Sequence, residues 1–153
     1  MERIRLAGII PMENGFALMH RKDVLKNPDM KEYYVFPGGG REGEETFEDG
    51  AKREIKEEFG IEVKIIKKMY EEYSEKFNQR TIYYLCEYVS GEFGTGDGPE
   101  FSNDPKYINS GKYFPEIIKK EDIEKLTLMP PDIKEKFVKD IKSGKIYKKC
   151  LHL

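Results

Sequence analysis

The chain has no tryptophan and only two cysteines and two histidines in 153 residues. Cys86 and Cys150 are too few for a disulfide framework, and neither belongs to a C-x-x-C pair, so zinc-site and thioredoxin-like chemistry lack their ligands. A reducing cytoplasm is the expected compartment. Charge of one sign is missing too. The 27 Lys and Arg are interleaved with 29 Asp and Glu for a net charge of -2, which leaves no basic stripe to grip a nucleic-acid duplex. Long apolar runs are also absent. The stretch after Arg5 is interrupted by Pro11 and Glu13, too soon for a signal-peptide core, and nothing later approaches a membrane span. A soluble protein without membrane contacts is expected.

What is present is 38% hydrophobic and 37% charged residues, with ten Tyr and nine Phe spread along the chain. That balance implies one globular domain over residues 1–153 with an aromatic-rich interior. Ile4 to Met12 and Phe16 to Arg21 read as two strands of a hairpin around Glu13-Asn14-Gly15, where Asn-Gly supplies positive φ. Asp23 to Lys31 is polar and reads as a loop, and Tyr33 to Phe36 as a short strand stopped by Pro37. Between Thr46 and Phe59, Phe47, Ala51, Ile55 and Phe59 recur every four positions, a helix stripe that Gly60 ends. Val63 to Tyr70 and Arg80 to Val89 read as an antiparallel pair joined across polar Glu71 to Gln79. Gly91 to Pro105 reads as a long surface loop and Lys112 to Ile118 as a strand. Glu121 to Lys125 reads as a short helix, and Asp132 as the cap of a last helix reaching about Lys142. Strands and helices mix without regular βαβ alternation, which gives an α/β or α+β class with a mixed sheet.

The chemistry concentrates in Pro37-Gly38-Gly39-Gly40-Arg41-Glu42-Gly43-Glu44-Glu45 and in the helix carrying Arg53-Glu54-Ile55-Lys56-Glu57-Glu58. Glu54, Glu57 and Glu58 fall within an arc of about 100° along one helix edge. Like charges so spaced repel by roughly 0.2–0.5 kcal/mol per pair, a cost best understood if a cation sits between them. Oxygen-only ligands favour Mg²⁺, with Mn²⁺ as the alternative, in a site shared with phosphates. Arg53, one turn before Glu57, can fix the carboxylates by an ion pair. The glycines, lacking Cβ, allow a sharp turn and a close backbone approach to a ligand. Taken alone, Arg53 to Glu58 would read as a solvated helix face; the upstream glycines and Glu45 overturn that reading.

Gly39, Glu45, Arg53, Glu54, Ile55, Glu57, Glu58, Gly60 and Ile61 together match every fixed position of the motif G-x5-E-x7-R-E-U-x-E-E-x-G-U, and the chain thereby resembles the Nudix hydrolases. A chance match has a probability on the order of 10⁻⁸ per starting position. The resemblance implies an α/β/α sandwich with a mixed central sheet and a loop-helix-loop catalytic motif. It also implies metal-dependent hydrolysis of a diphosphate bond in a nucleotide-type small molecule. By the family pattern Glu54, Glu57, Glu58 and the Gly38 carbonyl would hold the metal, with Glu45 supporting and Arg53 orienting them. Gly39, Gly40 and Arg41 would face the substrate. The base is Glu54 in some members and a glutamate from a later loop in others; Glu100 is the candidate for the latter, with Glu87 and Glu92 as rivals.

Tyr33, Phe77, Tyr83, Phe101 and Tyr107 are candidates to stack on a base, although aromatics in strands more often belong to the core. His20 and His152 read as structural or exposed. Gly94-Thr95-Gly96-Asp97-Gly98 is not followed by Lys-Ser/Thr or a helix, so it is no phosphate loop. The window after the motif, Lys76 to Gln79, carries neither the proline nor the tyrosine that tags two family subgroups. A nucleoside triphosphate, a nucleotide sugar and a dinucleotide all stay open, as does a role in removing oxidised nucleotides. A non-catalytic nucleotide sensor or interaction module on the same fold is the competing function, and a homodimer is compatible with the family.

Overall fold

The computed structural model describes residues 1–22, 32–98 and 111–146. The chain begins with β1 (Arg3–Ile9), β2 (Pro11–Met12), β3 (Gly15–Lys22), β4 (Tyr33–Val35) and β5 (Gly38–Gly40). Helix α1 (Phe47–Phe59) follows, then the long strands β6 (Glu62–Ser74) and β7 (Gln79–Ser90). After β8 (Lys112–Lys119) come a 3₁₀ segment (Lys120–Lys125), β9 (Leu128–Met129) and α2 (Pro131–Lys142). One sheet has the order β5-β1-β7-β6, with β1 parallel to β7 and the pairs β5–β1 and β7–β6 antiparallel. In the second, β3 carries β8 on one edge and β2 and β4 on the other, and β9 runs parallel to β4.

Alternation along the strands divides the interior into two cores. Phe16 and Leu18 of β3 join Ala7, Ile9, Tyr83 and Leu85 beneath Ile133 and Phe137 of α2. Ala17 and Met19 point the other way, with Leu6, Ile82, Tyr84 and Cys86, toward Ala51, Ile55 and Phe59 of α1. The β layer thus has a helix on each face, the expected α/β/α arrangement. Among the described residues no helix is long and apolar enough to cross a membrane.

Several elements differ from the sequence reading. The opening hairpin comprises only β2 and the start of β3, because β1 leaves at Ile10 to join the other sheet. Its positive φ falls on Glu13, at 54°, while Gly15 serves a close approach: a Cβ there would lie 1.9 Å from the Ile118 carbonyl oxygen. Gly38–Gly40 is no turn but an extended strand paired with Arg5–Ala7. Strand β6 runs on to Ser74 and β7 starts at Gln79, so only Glu75–Asn78 turns. Asp132 lies in the first turn of α2, whose N-cap is Pro130 with no side-chain cap bond. The proposed Asp23 to Lys31 loop and the part of the Gly91 to Pro105 loop beyond Gly98 lie outside the described residues.

Candidate active site

Helix α1 presents the site because both ends are fixed. The Thr46 hydroxyl accepts from the Asp49 amide at 3.0 Å, and Gly60 closes the helix in the left-handed region at φ 76°. Ala51, Ile55 and Phe59 face the sheet and are fully buried, which leaves the glutamate edge toward β5. Approach there is close. A Cβ on Gly39 would lie 2.5 Å from the Glu54 carboxylate, and one on Gly38 would lie 2.4 Å from the Leu6 carbonyl oxygen. At Gly38 and Gly39 the strand therefore packs β1 on one side and the Glu54 carboxylate on the other, leaving no room for a side chain, whereas a Cβ on Gly40 would meet nothing within 4 Å.

Glu54 and Glu58 are among the few buried charged residues, at 9% and 8% exposure. The Gly38 amide donates to Glu58 Oε2 at 3.0 Å, tying strand to helix. Arg53 knits the rest together. Its Nε and Nη2 donate to the two oxygens of Glu45 at 3.0 and 2.9 Å, and Nη2 also reaches the Gly40 carbonyl at 3.0 Å. Its Nη1 donates to Glu54 at 3.0 Å and to Glu57 at 3.2 Å. Glu45 further accepts from the Glu42 amide at 2.8 Å. Hydrogen bonding by Arg53 holds the Glu45 carboxyl below its ordinary range against the opposing effect of burial, and in return the guanidinium's proton affinity rises.

The donor set suits a hard divalent cation: it is all oxygen, on one helix edge, beside a strand whose missing side chains let its backbone come close to the carboxylates. As the side chains stand, Arg53 supplies the positive charge between Glu54 and Glu57. Among the described residues no group of three carboxylates, histidines or cysteines closes on one point.

The structure brings together Gly38, Gly39, Gly40, Glu45, Arg53, Glu54, Glu57 and Glu58. Arg41 sits at the rim, donating to the Glu45 carbonyl at 2.8 Å with its guanidinium 5.1 Å from the Phe47 ring centre. Glu100 lies outside the described residues, as do Phe101, Tyr107, Cys150 and His152. Glu87 is five residues beyond Ile82, the β7 partner of Leu6, hence roughly 16 Å along the strand from the glycines. It lines instead a cavity of about 880 Å³ between Asn14, Tyr88, Lys120 and the end of α2, which contains no residue of the motif. Tyr83 is a core residue packed edge-on against Phe36, and Phe77 is exposed in the β6–β7 turn. His20 is buried, with its ring nitrogens against Glu116 and Glu32, 2.7 Å from the latter, and is stacked on Tyr34. The contacts to the Gly40 carbonyl and of Glu42 to Glu45 were not in the sequence reading; the fixed spacing of Arg53 after the glycines was their only signal.

Comparison with known proteins agrees with this geometry. The chain is 31% identical over 113 residues to the 8-oxo-dGTP diphosphatase of Haemophilus influenzae, covering 71% of this chain and 81% of that protein. The MutT protein of Methanosarcina mazei shares the fold, with a TM-score of 0.63 at 20% identity over 95% of this chain and 96% of the other. A MutT structure from work on Aliivibrio salmonicida and Vibrio cholerae gives 0.61 at 18% identity, over 94% and 99%. A NUDIX domain model matches residues 2–109, which hold the glycine strand, Arg53 and all three helix glutamates, and the chain therefore belongs to the Nudix family as a MutT-like hydrolase of the pyrophosphohydrolase kind.

Proposed function

We propose that the protein hydrolyses a diphosphate bond in a nucleotide-type small molecule, with Mg²⁺, or Mn²⁺ in its place, held by Glu54, Glu57, Glu58 and the Gly38 carbonyl. The observation that carries this reading is the helix edge itself: two buried carboxylates and a third beside them, pressed against a strand of glycines and steadied by one arginine. What a divalent cation contributes when bound is neutralisation of phosphate oxygens and a lower pKa for water. The chain's own groups do the remainder. Arg53 orients Glu54 and Glu57, Glu45 holds Arg53, and the open backbone of Gly39 and Gly40 with Arg41 at the rim admits the diphosphate. Water attacks phosphorus, the bond to the leaving phosphate oxygen breaks, and a carboxylate, Glu54 or Glu100, takes the water's proton. Among the substrates the sequence leaves open, similarity to a nucleoside triphosphate diphosphatase favours a nucleoside triphosphate, the oxidised purine form included.

The test is a screen of nucleoside triphosphates, oxidised and normal, nucleotide sugars and dinucleotides with and without Mg²⁺, the products identified by mass. Mg²⁺-dependent cleavage of a triphosphate to monophosphate and pyrophosphate is expected. Glu57→Gln should reduce turnover by roughly 10²-fold or more. Cleavage that persists in excess chelator, or a Glu57→Gln enzyme with wild-type turnover, overturns the reading.

A further inference from the structure

The glycines between Gly91 and Gly98 meet the end of α1 through their backbone amides or through close backbone approach. The last carbonyls of a helix have no partner within it. Here the Gly98 amide donates to the Glu57 carbonyl at 2.8 Å, and the Gly94 amide to the Phe59 carbonyl at 2.9 Å. Gly96 presses against the same turn: a Cβ there would lie 2.4 Å from the Glu57 carbonyl oxygen and from the Glu58 carbonyl carbon and oxygen. Thr95 sits over Gly60 so closely that a Cβ on Gly60 would meet its Oγ1 at 2.1 Å. The loop is itself braced, since Thr95 Oγ1 donates to the Glu92 carbonyl at 2.7 Å and the Phe93 ring centre lies 4.9 Å from that of Phe59.

We propose that the Gly91–Gly98 loop is a positioning clamp for the metal-binding edge, with Gly96 and Gly98 fixing the backbone from which Glu57 and Glu58 project. This rests on the reading under Proposed function. The clamp acts at the end of α1 where the carboxylates need it. Thr46 fixes the helix start, but Glu57 and Glu58 lie in the last turn, the part of a helix that frays first. Glu58 must meet the Gly38 amide and Glu57 must meet Arg53 at once, and displacement of that turn by a few tenths of an ångström disturbs both. The three alternate glycines from Gly94 to Gly98 follow from this. Gly94 adopts φ 97°, which side chains resist, and Gly96 has no room for a Cβ.

Mn²⁺ binding by electron paramagnetic resonance, the Mg²⁺ concentration for half-maximal hydrolysis, the substrate KM at saturating Mg²⁺ and Tm should be measured for wild type, Gly96→Ala, Thr95→Ala and Ile133→Val. Ile133 lies in the core on the opposite face and serves as the stability control. Gly96→Ala should weaken Mn²⁺ binding and raise the Mg²⁺ requirement roughly tenfold, the usual scale for groups that support ligands, with substrate KM unchanged. Thr95→Ala, which adds no atoms, should move both in the same direction by about threefold, well below the tenfold lower limit typical of direct ligand support. It decides the matter if Gly96→Ala does not fold. Ile133→Val should lower Tm alone. Metal affinity within twofold of wild type in both loop variants, or an equal loss in Ile133→Val, overturns the clamp. A wild type that binds no Mn²⁺ and needs no Mg²⁺ ends the reading under Proposed function and this one with it.

Discussion

Arg53 shows how much one side chain can determine. Its planar fork donates simultaneously to Glu45, Glu54, Glu57 and the Gly40 carbonyl, and it is 22% exposed, shielded enough for those contacts to be weakly screened. A lysine brings one point charge and no fork. Arg53→Lys should lower kcat roughly 10–100-fold with a smaller change in Tm, because the carboxylates lose their orientation before the fold loses its core. Steady-state kinetics beside a melting curve reads this directly, and a kcat within twofold of wild type contradicts it. Glu45 carries the counterpart in pH. Arg53 depresses its carboxyl in the folded protein, so the pair stabilises the fold above the ordinary carboxylate value of 4.5 and loses that contribution as pH falls through the depressed folded value. Glu45→Gln should be less stable than wild type near neutrality and approach it in acid. Denaturant titrations on both sides of about pH 4.5 test it; a gap that stays constant with pH removes the titration from the explanation.

At the scale of the element, α1 was legible because each rule acts locally. Four-residue spacing set the buried stripe, Thr46 the start and Gly60 the stop. Thr46→Ala should cost about 1 kcal/mol by leaving the Asp49 amide without its acceptor, measured by denaturant unfolding; a loss under a few tenths means water caps the helix equally well. The strands were less legible where their reason for existing lies elsewhere in the chain. Gly38–Gly40 has no side chains to alternate, so its pairing with Arg5–Ala7 leaves no pattern in its own sequence. The ends of β6 and β7 continue through polar residues because Arg80 pairs with Glu2 and Glu71 on a solvent face, where hydrophobic periodicity has nothing to report. β9 is two residues long and exists because Tyr34 and Val35 offer an edge. The site divides in the same way. The glutamate edge follows from helix geometry and was readable, while the clamp by Gly96 and Gly98 joins residues some forty positions apart and needed coordinates.

Across the whole molecule, the glutamate edge and the core beneath it are two faces of one helix, so a cation bound at the first should be readable in the second. Cys86 lies in the core under α1, fully buried, and burial pushes its thiol up to about 12. Only the thiolate reacts with alkylating and disulfide reagents, so Cys86 is inert unless α1 separates from the sheet. A cation held by Glu54, Glu57, Glu58 and the Gly38 carbonyl loses its β5 ligand when α1 detaches, and in the limit where the detached helix no longer binds it slows that opening by a factor of 1 + [L]/Kd. At ten times Kd the labelling of Cys86, followed by mass of its peptide so that Cys150 is scored separately, should slow about elevenfold when opening is in rapid equilibrium. Glu57→Gln should reduce most of this protection while keeping Cys86 buried. Labelling of Cys86 at a rate independent of Mg²⁺ in wild type contradicts an ion held between α1 and β5, because a ligand that joins the two must stabilise the packing of Ile55 and Phe59 on the sheet that carries this cysteine.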